Sequence, residues 1–528
     1  MKKKGYENHA PFFVFLHLIQ CAFKRKITVM FTMSKLLAFS IVITFLFATT
    51  QAQVIIINDN CTAAYTDILS LKFEGAQKRI EVEKIKNPHN IYSIYLENYI
   101  DFLKVTISED EELFNSLEDI IPQRINKIKT LSDTSRYKKY FIGNINLQWG
   151  TARARFGEYI TSAIEINRAY RLLEANEKSF PDFMPNSITL GILHIMIGII
   201  PDSYHWILNL ISMYGSVGQG QDELKQAYMK CETDTKFSFL KDEILFYMGM
   251  IGLSMTPDPE FAEYLTSELK SANSKNLLLN YLAINTMMRS GKNEYALSLF
   301  SKIDTSENYY PFYYLDYLHG ECYLRTLNTD MAKKEYDIFL TNFNGQNFIK
   351  AAWQKTAWAA LIDGDTLGYH QAIQNVMIRG ATNIDADKSA ERAAKNGIIP
   401  NVDLLKCRLL IDGGYYNDAQ NILVKLNDNL PLVDKVEKNY RLGRIAQETI
   451  DYKDAKKYYS ITLETGSSLP AYYAANAALK LGNIYEVEND TVRAVHYYNI
   501  CLNLDFDEYR NSIRGKAKQG LKRVSIDN

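Results

Sequence analysis

The run Gly215-Ser-Val-Gly-Gln-Gly220 is dense enough in glycine to suggest a phosphate cradle. A cradle of that kind needs a preceding strand and usually a following Lys-Ser/Thr. Here an apolar helical stretch precedes it and Gln-Asp-Glu-Leu follows, so it reads as a helix stop and turn before "QDELKQAYMK". His194 and His205 flank the break at Pro201, but neither has a carboxylate at metal-ligand spacing, and both read as core or boundary histidines. The acids of "SEDEELFNSLED", Ser108 to Asp119, read as a helix start, where carboxylates favour the positive end of the helix dipole. No G-x-S-x-G, H-E-x-x-H or Walker loop occurs, and the eight histidines are dispersed. The expectation is a protein that is not an enzyme, with no catalytic residues, cofactor or metal.

Charge and cysteine narrow the partners. Sixty Lys and Arg nearly cancel sixty-one Asp and Glu, so no global field draws the chain to nucleic acid. Beyond the first fifty residues the cysteines are Cys61, Cys231, Cys322, Cys407 and Cys501, odd in number and never in a C-x-x-C pair. They signal neither a disulfide framework nor zinc and read as small core residues. At 528 residues the chain exceeds one compact core, which implies several domains or an extended array.

The start of the chain carries a separate message. "MSKLLAFSIVITFLFATTQAQ", Met33 to Gln53, has a basic residue at Lys35, an apolar run from Leu36 to Ala48 and a small-residue exit ending at Ala52. That pattern predicts a secretory signal over about 33–52, export, and a periplasmic or outer-envelope location. The preceding residues fit neither signal nor fold, so translation is expected to begin at Met30 or Met33.

Repetition dominates what remains. In "YYLDYLHGECYLRTLNTDMAKKEYDIFL", "VEKNYRLGRIAQETIDYKDAKKYYSITL" and "ANAALKLGNIYEVENDTVRAVHYYNICL" a glycine precedes an alanine by twelve residues: Gly320 and Ala332, Gly443 and Ala455, Gly482 and Ala494. Tyr336, Tyr459 and Tyr498 follow four residues after each alanine. Polar turns separate two runs of helical spacing in every copy. Small residues facing each other let two antiparallel helices approach closely, and the tyrosine is expected to fill the groove against the next pair. Ala296, Gly368 and Ala419 extend the register at steps of 36, and "ATNIDADKSAERAAKNGIIP" supplies a longer connection within the 51-residue step from Gly368 to Ala419.

These segments resemble tetratricopeptide repeats, helix pairs with a small residue at position 8, alanine at 20 and an aromatic at 24. The resemblance implies an all-α fold, an α-solenoid of antiparallel helix pairs wound as a right-handed superhelix. About six repeats are expected over 276–528, preceded by a helical, similarly paired region at 53–186, with Ala163 as a close-packing alanine, and an apolar hairpin with connecting helices at 187–275. The order around "PNSITLGILHIMIGIIPDSY" is loosely similar to the central segment of eukaryotic Iml-type outer-membrane tetratricopeptide proteins.

Function is implied by the same resemblance. Groove positions of such repeats fall on Tyr314, Tyr317, Glu321 and Leu324, on Glu437, Tyr440, Arg444 and Gln447, and on Asn476, Leu479, Asn483 and Glu486. These residues are expected to line a partner-binding groove for a protein or peptide. The Lys and Asn pattern of the family's carboxylate clamp is absent apart from Asn483, and several of the tyrosines could equally pack between neighbouring repeats. The leading expectation is an exported, non-catalytic scaffold of the cell envelope. Two alternatives stay open: peripheral membrane docking through residues 188–214, and an envelope enzyme with helical repeats. The oligomeric state is not indicated.

Overall fold

The computed structural model describes residues 53–200, 208, 211–254, 267–269, 275–427 and 429–526. The expected signal segment over 33–52, the expected start at Met30 or Met33, and His205 lie outside the described residues. Every regular element described is helical, and β structure is confined to an isolated parallel bridge between Val54 and Asn90. That bridge replaces any strand over "QVIIIN": Asn90 pairs through its side chain with the backbone N–H and carbonyl of Ile56.

The first helices are α1 (Asp59–Leu69), α2 (Phe73–Lys86) and α3 (Tyr92–Ser108), followed by the short α4 (Glu111–Ser116) and α5 (Ile120–Lys129). The acidic run starts a helix as expected, with Asp110 capping α4 by accepting from the Leu113 N–H at 3.0 Å. Pro122 falls in the first turn of α5, where a missing N–H costs nothing. Next come α6 (Arg136–Arg155) and α7 (Tyr159–Ser179), packed as one hairpin. Ala163 is exposed and does not seat this pair. Gly143 against Leu173, and Gly150 against Ile166 and the Ser162 carbonyl, make the close contacts instead.

The apolar stretch forms α8 (Met184–Gly198), whose partner is α9 (Val217–Thr233). The glycine-rich run is therefore the beginning of a helix and not the end of one. Ser216 caps α9, and a Cβ on Gly215 would sit 2.7 Å from the Cα of His194, while one on Gly220 would strike the Gly191 carbonyl. Glycine is required there because two helix backbones touch. α10 (Lys241–Ser254) follows; among the described residues no helix is long and apolar enough to cross a membrane.

From residue 277 six hairpins follow. They are α11 (Leu277–Arg289) with α12 (Asn293–Phe300), α13 (Tyr314–Arg325) with α14 (Thr329–Asn342), and α15 (Ile349–Ile362) with α16 (Thr366–Ile378). After a single inserted helix, α17 (Asp385–Asn396), come α18 (Val402–Gly413) with α19 (Tyr416–Lys425), α20 (Leu432–Glu448) with α21 (Tyr452–Gly466), and α22 (Tyr473–Val487) with α23 (Thr491–Asn503). α24 (Arg510–Ile526) packs on the last pair. The fold is an α-solenoid, and the long step between the third and fourth pairs is a helix, not a loop.

The turn inside each of these six pairs contains one left-handed residue: Gly291, Leu327, Gly364, Gly414, Ile450 and Asn489. Leu71 and Gly157 do the same inside α1–α2 and α6–α7. Asn328, Asp365, Asp451 and Asp490 follow directly and cap the next helix. Five residues after the left-handed position stand Ala296, Ala332, Ala419, Ala455 and Ala494, all fully buried. In the third pair that place belongs to Tyr369, so the alanine register does not pass through Gly368.

The residue facing each repeat glycine is the tyrosine of its own hairpin. A Cβ on Gly320, Gly443 or Gly482 would meet the ring of Tyr336, Tyr459 or Tyr498 at 2.9, 2.7 and 2.5 Å. Each tyrosine thus covers the glycine of its own hairpin, which the spacing did not predict, and Tyr498 meets the following element as well, over Gly520 of α24. Buried residues from Cys61 to Leu409 form one continuous apolar cluster, and Tyr440 to Val524 form a second. The N-terminal helices reach the repeats directly: Tyr310 donates its N–H to the Leu71 carbonyl at 2.7 Å and Lys72 pairs with Glu307 at 2.7 Å.

Candidate partner-binding groove

The twelve groove residues expected from sequence separate into two groups. Tyr314, Tyr317 and Glu321 project from α13 into an open groove of about 380 Å³. Its remaining wall comes from α11, α15, α17 and α18 and from Tyr509 just before α24. Tyr314 and Tyr317 stack at 5.4 Å between centroids, and both meet Phe348, so their rings are held as one rigid aromatic wall. Glu321 lies 3.1 Å from Lys355 and 3.5 Å from Arg325. Burial pushes the Glu321 carboxyl upward, but Lys355 and Arg325 outweigh it and hold the group below the usual carboxylate range.

Opposite this wall, Trp358 carries two cations. Lys355 Nζ lies 4.4 Å from one of its ring centroids and the Arg408 guanidinium 4.9 Å from one. Arg289 and Arg325 complete a basic lining, against which the groove sets Glu321 and the exposed Asp385. Tyr509 reaches in from the C-terminal loop and shares a hydrogen bond with Ser389 of α17 at 3.2 Å. Burial opposes ionisation of Tyr509, yet Arg408 and the Ser389 hydroxyl lower its pKa. The result is a crevice of aromatic faces with an excess of fixed positive charge.

The other nine residues are engaged inside the protein: Leu324 and Leu479 are buried in the core, and Glu437 accepts from Arg441 at 2.6 Å. Tyr440 is buried, packs against Tyr472 and Tyr473, and its hydroxyl accepts from Asn476 at 2.7 Å. Arg444 donates to Asp412 at 2.7 Å, and although burial works against ionisation, Arg444, Arg408 and Arg441 hold that carboxyl very low. Gln447 accepts the Tyr459 hydroxyl at 2.8 Å. Asn483 accepts the Tyr498 hydroxyl at 2.8 Å, and Glu486 takes that same hydroxyl and a two-pronged bond from Arg523 at 2.6 and 2.9 Å. These side chains satisfy the buried tyrosine hydroxyls that the repeat architecture creates.

Sequence reasoning missed Arg289, Lys355, Trp358, Arg408 and Tyr509. The hairpins carrying Lys355, Trp358 and Arg408 were recognisable only from their second helices, so the inward positions of α15 and α18 were never assigned. Tyr509 lies outside any repeat and has no spacing to betray it. The five cysteines are all free and buried, and burial pushes the thiols of Cys322 and Cys407 up to about 12, which leaves them poor nucleophiles. His194 is buried, its ring 2.7 Å from Glu223 and 3.0 Å from Gln219.

The class defined by this architecture is an α-solenoid of stacked antiparallel hairpins. No family model matches the chain, and no curated protein matches it.

Proposed function

We propose that this chain is a tetratricopeptide-type repeat protein, exported to the cell envelope, that binds a protein or peptide partner without catalysing a reaction. The observation that carries the reading is the groove between α11, α13, α15 and α18. Hairpins stacked in register give it rigid walls, and it presents the aromatic and arginine side chains that anchor interfaces. Its basic excess favours a segment with acidic side chains.

Affinity capture from envelope extracts with the mature chain tests it, using Arg289→Glu and Tyr509→Ala as groove variants because both side chains are exposed. A defined partner retained by the parent and lost by both variants, with unchanged thermal melts, supports the assignment. Equal recovery by all three removes the groove from consideration. Export is read separately, by the N-terminal residue of the protein recovered from the envelope fraction; a start at Gln53 is expected.

A further inference from the structure

A second cavity, far from the groove in character, lies where the N-terminal helices meet the repeats. It holds about 230 Å³, below the roughly 300–1,000 Å³ of pockets for drug-sized ligands, which suits a single ring rather than a chain. Four of its lining side chains are carboxamides: Asn344, Gln346 and Asn347 from the α14–α15 loop and Asn383 ahead of α17. A carboxamide both donates and accepts, the same double capacity a hydroxyl offers.

The charges at the site are largely spoken for. Glu109, nine-tenths buried and in the left-handed conformation, accepts from Arg155 and from the Asn347 side chain at 2.7 Å. Arg155 is the one cation in the described lining and it pairs with Glu109, while Glu111 adds a further negative charge, so the lining carries no net positive charge to hold an anion. Asn347 is itself nine-tenths buried, and its amide oxygen has no hydrogen-bond partner within the protein. Beside these amides stands Tyr159, the first residue of α7, with 70 % of its surface exposed, and Phe156, three residues earlier, also lines the cavity. A large aromatic left open next to a ring of amides offers a flat apolar face and hydroxyl partners in the same small space.

We infer that this cavity binds one neutral sugar ring, a pyranose whose hydroxyls pair with the carboxamides and whose C–H face rests on Tyr159. Free monosaccharides and the terminal residue of a glycan share that chemistry.

Saturation-transfer NMR and calorimetry on the mature chain, with gluco-, galacto-, manno- and N-acetylglucosamine sugars and their oligosaccharides, test it. Binding by at least one configuration is expected, weakened about tenfold by Tyr159→Ala and also by Asn383→Ala. Both positions are exposed, so both variants fold, and their thermal melts check this. Equal affinity for monosaccharide and oligosaccharide marks a free sugar as the ligand, and tighter oligosaccharide binding marks a glycan end. No binding by any sugar at millimolar concentrations, or binding that both variants leave intact, overturns the inference.

Discussion

Ile450 holds a left-handed φ of 63° in the turn between α20 and α21 while three-quarters of its side chain faces solvent. A β-branched residue is ill suited to that conformation, and its exposure means little burial is lost on replacement. Ile450→Gly is expected to raise stability by about 1 kcal/mol, read as an upward shift of the thermal midpoint. Lys480 is the second stressed residue. Burial, with Arg444 nearby, pulls its pKa down to about 8, so below that pH the charge is held at a cost the unfolded chain does not bear. Stability from this group accordingly rises as the pH climbs from about 8 toward the ordinary lysine value, and Lys480→Met is expected to gain roughly 1 kcal/mol at neutral pH. Denaturant titrations of both variants across pH settle each point. Asp387 has the opposite sign. It accepts from the N–H groups of Phe348 and Ala351, yet burial raises it to about 6. The folded state then binds a proton the unfolded state does not, so this residue's contribution improves as the pH falls from about 6 to about 4. Asp387→Asn should flatten that slope.

Among the elements, the hairpins were far more legible in sequence than their turns. The Gly–Ala–Tyr spacing of Gly443, Ala455 and Tyr459 reports a close helix crossing directly, because only small residues and a ring laid over them fit it. The left-handed turn is hidden, since Leu327, Ile450 and Asn489 occupy it as readily as Gly291, Gly364 and Gly414. That is why the third pair was misregistered on Gly368. The groove was half legible for a related reason: α13 carries the full signature and α15 does not. Gly482 gives the element-level prediction. Gly482→Val would drive a branched side chain into the Tyr498 ring, destabilising by about 3 kcal/mol. Gly482→Val combined with Tyr498→Ala should recover part of that loss, which a double-mutant cycle in urea measures.

Across the molecule, contacts are made chiefly between neighbours in the array, and the buried cluster of Tyr440 to Val524 is separate from the one spanning Cys61 to Leu409. Stability in such an arrangement is a sum of local and nearest-neighbour contributions rather than one cooperative whole. Hydrogen exchange should therefore show α20 to α24 opening at lower free energy than α6 to α9. A single protection level throughout would contradict it.

Some contacts run against that modularity, among them Asn293 of α12 donating to the Tyr415 hydroxyl ahead of α19, and one set brackets the end of the array. Ser389 and Arg392 of α17 meet Tyr509 and the Asp507 carbonyl, at 3.2 and 2.9 Å, so the insertion and the final loop are tied across the three hairpins between them. Repeat arrays ordinarily tolerate the gain or loss of a unit, as a chain tolerates an added link. Here the window from 397 to 505 is measured off like the rung of a ladder braced at both ends. Duplicating or excising a hairpin inside it would tear the brace, whereas the same change elsewhere in the array leaves it standing. Copy number in that stretch is a quantity selection can hold constant through two hydrogen bonds.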